Sequence, residues 1–345
     1  VCAFEAVALP TVIDYWYPDY QSLYLWTIAG WDVYGSWVAI GAAGAIAVTW
    51  INYIGVKSSA VVQTVVSLLI LVAGVMLLSG SLFKGSIQNL QPLFPNGMGG
   101  AFAVAVMAPF MFVGFDVIPQ AAQEIKLPAR SIGRVLVGSI AMALAWYSLV
   151  ILAVGLLLPA SGMGGKLVTA DAAVKAWGAV GGNLLVLGGV GGIITSWNAF
   201  LVGGSRAVYA MASHGMLPGW LARLHPKYGT PSNAILAIGL ASVAAPLFGR
   251  VLLVWIVNAG SFAVVIAYAM VALSFLLLRK NQPDMERPFR LRNGNLIGWL
   301  ALLGSLLLLA LYLPGSPSAL QWPIEWALVL AWFIAGGIIY RFSQR

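Results

Sequence analysis

Charge is scarce in this chain. Lysine, arginine, aspartate and glutamate make up 8% of its 345 residues and hydrophobic residues 61%, whereas a soluble domain carries about 25% charged residues. Too little polar surface remains to coat a soluble fold of this size, which excludes a globular protein in water. Cysteine is nearly absent: Cys2 stands alone, so no internal disulfide framework exists. The two histidines, His214 and His225, share one polar stretch without convergent carboxylates or thiols, which leaves metal chemistry without ligands. No G-x-S-x-G elbow or H-E-x-x-H pair occurs, and the P-loop-like run Gly162 to Lys166 is followed by Leu167 where Ser or Thr is needed. Hydrolytic enzymes, lipid-modifying enzymes and ATP-driven pumps all lack their signatures.

What the chain does have is apolar length. Runs near the roughly 20 residues that cross the hydrocarbon of a bilayer recur from end to end, which predicts an all-α polytopic membrane protein. Runs bounded by polar, glycine or proline clusters predict helices at 1–11, 36–52, 59–80, 99–122, 134–159, 179–205, 233–247, 251–278, 296–313 and 323–341. The first is half a span and lacks the basic flank and cleavage site of a signal peptide, so a truncated N-terminus is expected. The long run from Ile235 to Leu278 divides at Phe248-Gly249-Arg250. No stretch is left for a separate soluble domain, and residues 1–345 are read as one transmembrane domain.

Of the 18 basic residues, only Lys84, Lys166, Lys175 and Arg250 fall in one set of alternate loops. The other set, with Arg341 and Arg345, is therefore predicted to be cytoplasmic, and the C-terminus with it. Charges scattered over short loops do not make a nucleic-acid surface. Trp16, Tyr17, Tyr20, Tyr24 and Trp26 crowd the first outer loop as an interfacial aromatic belt.

Residues 108–130, APFMFVGFDVIPQAAQEIKLPAR, place Asp116 inside an apolar helix beside Gly114 and shortly before Pro119. A carboxylate at membrane depth marks a functional-site hypothesis, and an interrupted helix is tolerated there only where it lines a cavity. Two readings stand for Asp116. One is a cavity-facing carboxylate that orients a cationic group or takes a proton during transport; the other is a neutral acid hydrogen-bonded to a neighbouring helix. Phe110 and Phe112 either cap a substrate or are aromatic residues that face lipid or pack in the core. Glu5 also lies in an apolar context, lining a cavity or making a structural hydrogen bond. Thr195, Ser196, Trp197 and Asn198 form a polar cluster in an apolar span, able to coordinate sodium, touch substrate or join helices. Gly178 with Gly182, and Gly188 with Gly192, read as faces for close helix packing. Gln123, Glu124 and Lys126 read as a solvated loop.

Three stretches, FVGFDVIPQAAQEIKLPARSIG from Phe112, SRAVYAMASHGMLPGWLARLHPKYGTPSNAI from Ser205, and RKNQPDMERPFRLRNG from Arg279, resemble the amino acid, polyamine and organocation (APC) permease family in order and spacing. The resemblance implies a LeuT-like five-plus-five inverted-repeat fold with two further helices, represented here from the end of helix three through helix twelve. It implies a secondary transporter of amino acids or related amines working by alternating access, with no cofactor and with proton or sodium coupling left open. A non-transporting sensor or partner subunit on the same scaffold is the alternative. By resemblance, Phe110 takes the aromatic lid position, Val113 and Gly114 offer backbone groups to the substrate amine, and Asp116 holds the acidic position beside the break with Phe115 between them. Trp197 and Asn198 join the expected substrate contacts, and Glu5, Thr195 and Ser196 the expected cavity or ion-coupling residues. Gln123 and Leu127 depart from the family's glutamate and asparagine, and the helix from Ser59 to Gly80 lacks the lysine that proton-coupled relatives can carry. Helices one and two are expected to be absent, and with them the carboxylate-binding half of the site, so this stretch by itself is expected not to transport.

Overall fold

Apolar runs in hydrocarbon fold as helices because every backbone N–H and C=O must find its partner within the segment. The computed structural model describes residues 1–55, 59–115, 117–120, 128–165, 167–287, 289–316 and 318–343. Its helices are α1 (Cys2–Ile13), α2 (Gly35–Ile54), α3 (Ser59–Lys84), α4 (Gly97–Phe112), α5 (Val117–Gln120), α6 (Ala129–Leu157), α7 (Val168–Ser213), α8 (Ser232–Ala244), α9 (Val251–Asn281), α10 (Gly294–Tyr312) and α11 (Ile324–Ser343). Among the described residues, α2, α3, α6, α7, α9, α10 and α11 are long and apolar enough to cross a membrane; α1, α4 and α8 are apolar but shorter. The outward surface is that of a lipid-facing protein, with Met142, Leu240 and Trp332 each more than 70% exposed.

Two expectations change. The span placed at 179–205 begins after Gly178 as expected, that residue leaving the helical path (φ 68°, ψ −160°), but it continues to Ser213 and a further helical segment from Val168 precedes it. That segment looked like loop because of Asp171 and Lys175, yet Ala172, Ala173 and Ala176 are buried against Leu77 and Leu157, small side chains allowing close contact. Gly178 is thus a break in the helical backbone with open space around it, not a packing face, whereas Gly188 and Gly192 do face α3 at Ala73 and Ile70. The second change is a hairpin, β1 (Tyr24–Ile28) paired antiparallel with β2 (Trp31–Tyr34), where the aromatic residues suggested only a loop. Ala29 and Gly30 both have positive φ (49° and 79°), the requirement of a two-residue hairpin turn. The expected division before α9 is present, with Gly249 at φ 68°.

The chain forms two compact units. The first comprises residues 1–95, 143–253 and 339–345. There α1 packs among α2, α7 and α8, burying Cys2, Ala6 and Leu9 against Ala45, Val48, Trp197, Leu201 and Ile235. Gly41 and Gly44 make this approach feasible, since side chains there would run into the Ala6 carbonyl, Leu9 and Trp197. The second unit comprises residues 96–142 and 254–338. Its core joins Val106 of α4, Phe262 and Val265 of α9, Tyr312 of α10, Leu320 ahead of α11 and Val329 on it. Phe262 meets Tyr312 and Trp326 edge-on, with ring centroids 5.6 and 5.9 Å away, a favoured geometry for aromatic pairs.

Candidate functional site

Each unit holds one group of candidate residues. In the second unit the apolar helix that begins at Gly97 stops after Phe112. Val113 is extended (ψ 134°) and its N–H turns back to the Phe110 carbonyl at 3.3 Å. Gly114 follows with φ 134°, a conformation open to glycine and strained for other residues. Helix resumes at Val117, whose N–H bonds the Gly114 carbonyl. Pro109, buried within α4, cannot donate to the preceding turn and weakens the ladder just ahead of the break. The interruption expected around Gly114 is therefore present in the backbone, and it spans residues 113–115.

Aromatic contacts fix the two sides of this break. Phe110 lies on the bare backbone of Gly260 in α9; a side-chain carbon built there would stand 3.6 Å from the ring. Phe115 packs beside Tyr268 of α9 with centroids 5.7 Å apart. Further back, the Tyr312 hydroxyl donates to the Val106 carbonyl, tying α10 to the middle of α4. Asp116 itself lies outside the described residues, as do Gln123, Glu124, Lys126 and Leu127.

In the first unit the structure brings Glu5 and Ser196 together. Glu5 is buried on α1, and the Ser196 hydroxyl of α7 donates to its carboxylate. Thr195 turns its hydroxyl to the Gly191 and Gly192 carbonyls of its own helix, at 3.0 and 3.1 Å. Trp197 is 1% exposed and belongs to the α1–α2–α7 core. Asn198 accepts a 2.8 Å hydrogen bond from the Asn52 amide of α2, which also donates to the Val48 carbonyl. Asn52 was not singled out from the sequence, although an amide within the apolar run 36–52 is itself a signal. A double-mutant cycle on Asn52→Leu and Asn198→Leu is expected to give a favourable coupling of about 0.6–1.7 kcal/mol, the range of side-chain hydrogen bonds between membrane helices. Thermal unfolding of the purified protein measures it, and additive losses would remove the pair from the account.

Among the described residues no group of His, Cys, Asp and Glu is arranged to hold a metal. The arrangement defines a multi-pass membrane protein with one helix broken in mid-course. A family model described as amino acid permease matches residues 17–335, and the chain belongs to the amino acid permease family. It is similar to the branched-chain amino acid permease BcaP of Bacillus subtilis (strain 168), 28% identical over 308 residues, which are 87% of this chain and 62% of that permease. It is similar also to the methylthioribose transporter of the same organism, 26% identical over 360 residues and covering 98% of this chain and 73% of the transporter. Cationic amino acid transporter 1 of Arabidopsis thaliana is 26% identical over 265 residues, 75% of this chain and 43% of the plant protein. The chain thus spans less than two thirds of the branched-chain permease. The family and these relatives are permeases and transporters, not enzymes.

Proposed function

We propose that the protein is a secondary active transporter of amino acids or related amines in the cytoplasmic membrane, working by alternating access. The observation that carries this reading is the broken helix: Val113 and Gly114 leave the helical path inside an apolar segment, immediately before Asp116. Irregular backbone at membrane depth is tolerated where it lines a cavity, and discontinuous helices of transporters present their backbone to substrate and ions. In this reading the backbone at Val113 and Gly114 receives the substrate ammonium, and Asp116 supplies the compensating charge. Phe110 and Phe115, each braced on α9, form apolar walls. Relatives named for branched-chain and cationic amino acids support a substrate carrying an amino group.

Glu5, hydrogen-bonded by Ser196 with Thr195 one residue away, is the pair we assign to proton or sodium coupling. Trp197 and Asn198, held by the core and by Asn52, are assigned to framing α7, which leaves substrate contact to residues 110–116. All of residues 1–345 act within one transmembrane permease domain. The side rich in lysine and arginine, with the C-terminus, faces the cytoplasm.

The test is uptake of a panel of radiolabelled amino acids and polyamines by cells expressing the full-length protein, comparing native with Asp116→Asn at matched membrane abundance. A substrate taken up by the native protein and lost in the variant is expected. Equal uptake by both would remove Asp116 from the site, and binding without flux would favour a sensor on the same scaffold.

A further inference from the structure

One feature of the first unit lies apart from the residues assigned to transport. Between α2 and α8 runs an apolar groove of about 640 Å³, lined by Ile46, Trp50 and Tyr53 on one wall and Leu236, Leu240 and Val243 on the other. Its floor is formed where Thr49 packs on the bare backbone of Gly239. That volume falls within the range of about 300–1,000 Å³ seen for small-molecule sites. Ile46, Trp50 and Leu240 are 59%, 61% and 72% exposed.

The groove has a chemically distinct end. Trp50 and Tyr53 stack there with planes 9° apart, and the Tyr53 ring meets His225 at 5.1 Å and Tyr228 at 6.4 Å. Lys227 Nζ stands 5.3 Å from the centroid of Tyr228. The loop that carries these residues is fixed: His225 Nδ1 accepts from the backbone N–H groups of Lys227 and Tyr228, and the Thr230 hydroxyl donates to the Tyr53 carbonyl at 2.8 Å. Neither α2, α8 nor the segment 214–231 contains an aspartate or glutamate, whereas that segment also carries Arg223. An apolar slot therefore opens at a wet end lined by aromatic rings and positive charge only, the arrangement that suits an anionic lipid headgroup.

We propose that this groove is a binding site for an anionic phospholipid, with one acyl chain lying between α2 and α8 and the phosphate beside Lys227. Its extent argues against a partner helix. From Tyr53 to Ile46 is seven residues of helix, or about 10 Å at 1.5 Å per residue, whereas a spanning helix needs a seam approaching the full bilayer core of about 30 Å. A length of that kind fits part of one leaflet, and the charge at its end selects an anionic over a zwitterionic headgroup.

Native mass spectrometry of the full chain, released from detergent with equal amounts of phosphatidylglycerol and phosphatidylcholine bearing the same acyl chains, tests the proposal. Phosphatidylglycerol adducts are expected to exceed phosphatidylcholine adducts by about fivefold, the preference that one basic residue near an anionic headgroup supplies. Lys227→Glu, on the exposed loop, is expected to abolish the preference, and Arg250→Glu, at the opposite loop set, to leave it unchanged. Leu240→Trp, which fills the groove, is expected to lower retention of both lipids. Equal retention of the two lipids by the native chain, or an unchanged preference in Lys227→Glu, would overturn the proposal. So would co-purification of a single-span protein that Leu240→Trp displaces, since the occupant would then be a helix.

Discussion

Gly114→Val is expected to insert and fold but to lose about 5- to 150-fold in uptake of whichever amine the native protein carries. The φ of 134° at Gly114 lies where a Cβ is strained. Holding a β-branched residue there costs on the order of 1–3 kcal/mol, and 1.4 kcal/mol is already about tenfold in an equilibrium. The backbone relieves that strain by re-forming helix across residues 113–115, which removes the turned peptide groups from the position proposed for the ammonium. The rest of the unit keeps its core through Val106, Phe262 and Tyr312, so abundance in the membrane should hold. Gly336→Val is the matched control, because a side chain there meets open space and the backbone is ordinary. Radiolabelled uptake at equal membrane abundance makes the measurement. If Gly114→Val transports like the control, the break is not part of the substrate site and the proposed mechanism fails with it.

Glu325→Ala is expected to produce the largest loss of stability. Glu325 is fully buried in the first turn of α11, and its two oxygens are both engaged. Oε1 accepts from the Asn258 amide of α9 and Oε2 from the Gln321 backbone N–H, each at 2.7 Å. Alanine leaves two part-buried donors without their acceptor, at about 1–3 kcal/mol apiece where water does not replace it, so an overall loss of about 2–6 kcal/mol follows. At about 2 °C per kcal/mol for a chain of this size, the apparent melting temperature in detergent should fall by about 4 °C or more. Glu325→Gln retains one acceptor oxygen while turning an amide towards the other donor, and an intermediate fall is expected. An unchanged melting temperature in Glu325→Ala would mean that this carboxylate does not tie α9 to α11.

Particular residues show why some of this was legible beforehand. The apolar runs were readable because hydrocarbon demands a local solution to backbone hydrogen bonding, and a local solution leaves a local pattern. The interruption at Gly114 was readable for the same reason, since glycine and proline act within one turn of where they stand. The hairpin at 24–34 escaped notice because its signal is weak: Ala29-Gly30 carries the turn through backbone conformation, with no asparagine or aspartate to announce it. The helical segment from Val168 to the break at Gly178 escaped for another reason. Asp171 and Lys175 read as loop, and only the burial of the alanines between them against α3 and α6 shows that the segment is packed helix.

Pairings were out of reach altogether. Glu5 and Ser196 are 191 residues apart, Asn52 and Asn198 are 146 apart, and Asn258 and Glu325 are 67 apart. Each of these residues is visible in sequence as a polar side chain inside an apolar run, which says that it needs a partner. Which partner it finds depends on how helices pack, and the Leu9, Trp197 and Gly44 contacts that decide this are set by shape rather than by any local pattern. The sequence by itself thus determined the membrane class, the rough bounds of most helices, the place of the break and the family resemblance, because composition, hydropathy and backbone-breaking residues act over a few positions. Tertiary structure alone decided which buried polar groups satisfy one another, that Phe110 rests on Gly260, and that Tyr53 meets His225 and Tyr228 at the end of one groove, with Lys227 beside Tyr228, because contacts between distant helices arise from packing.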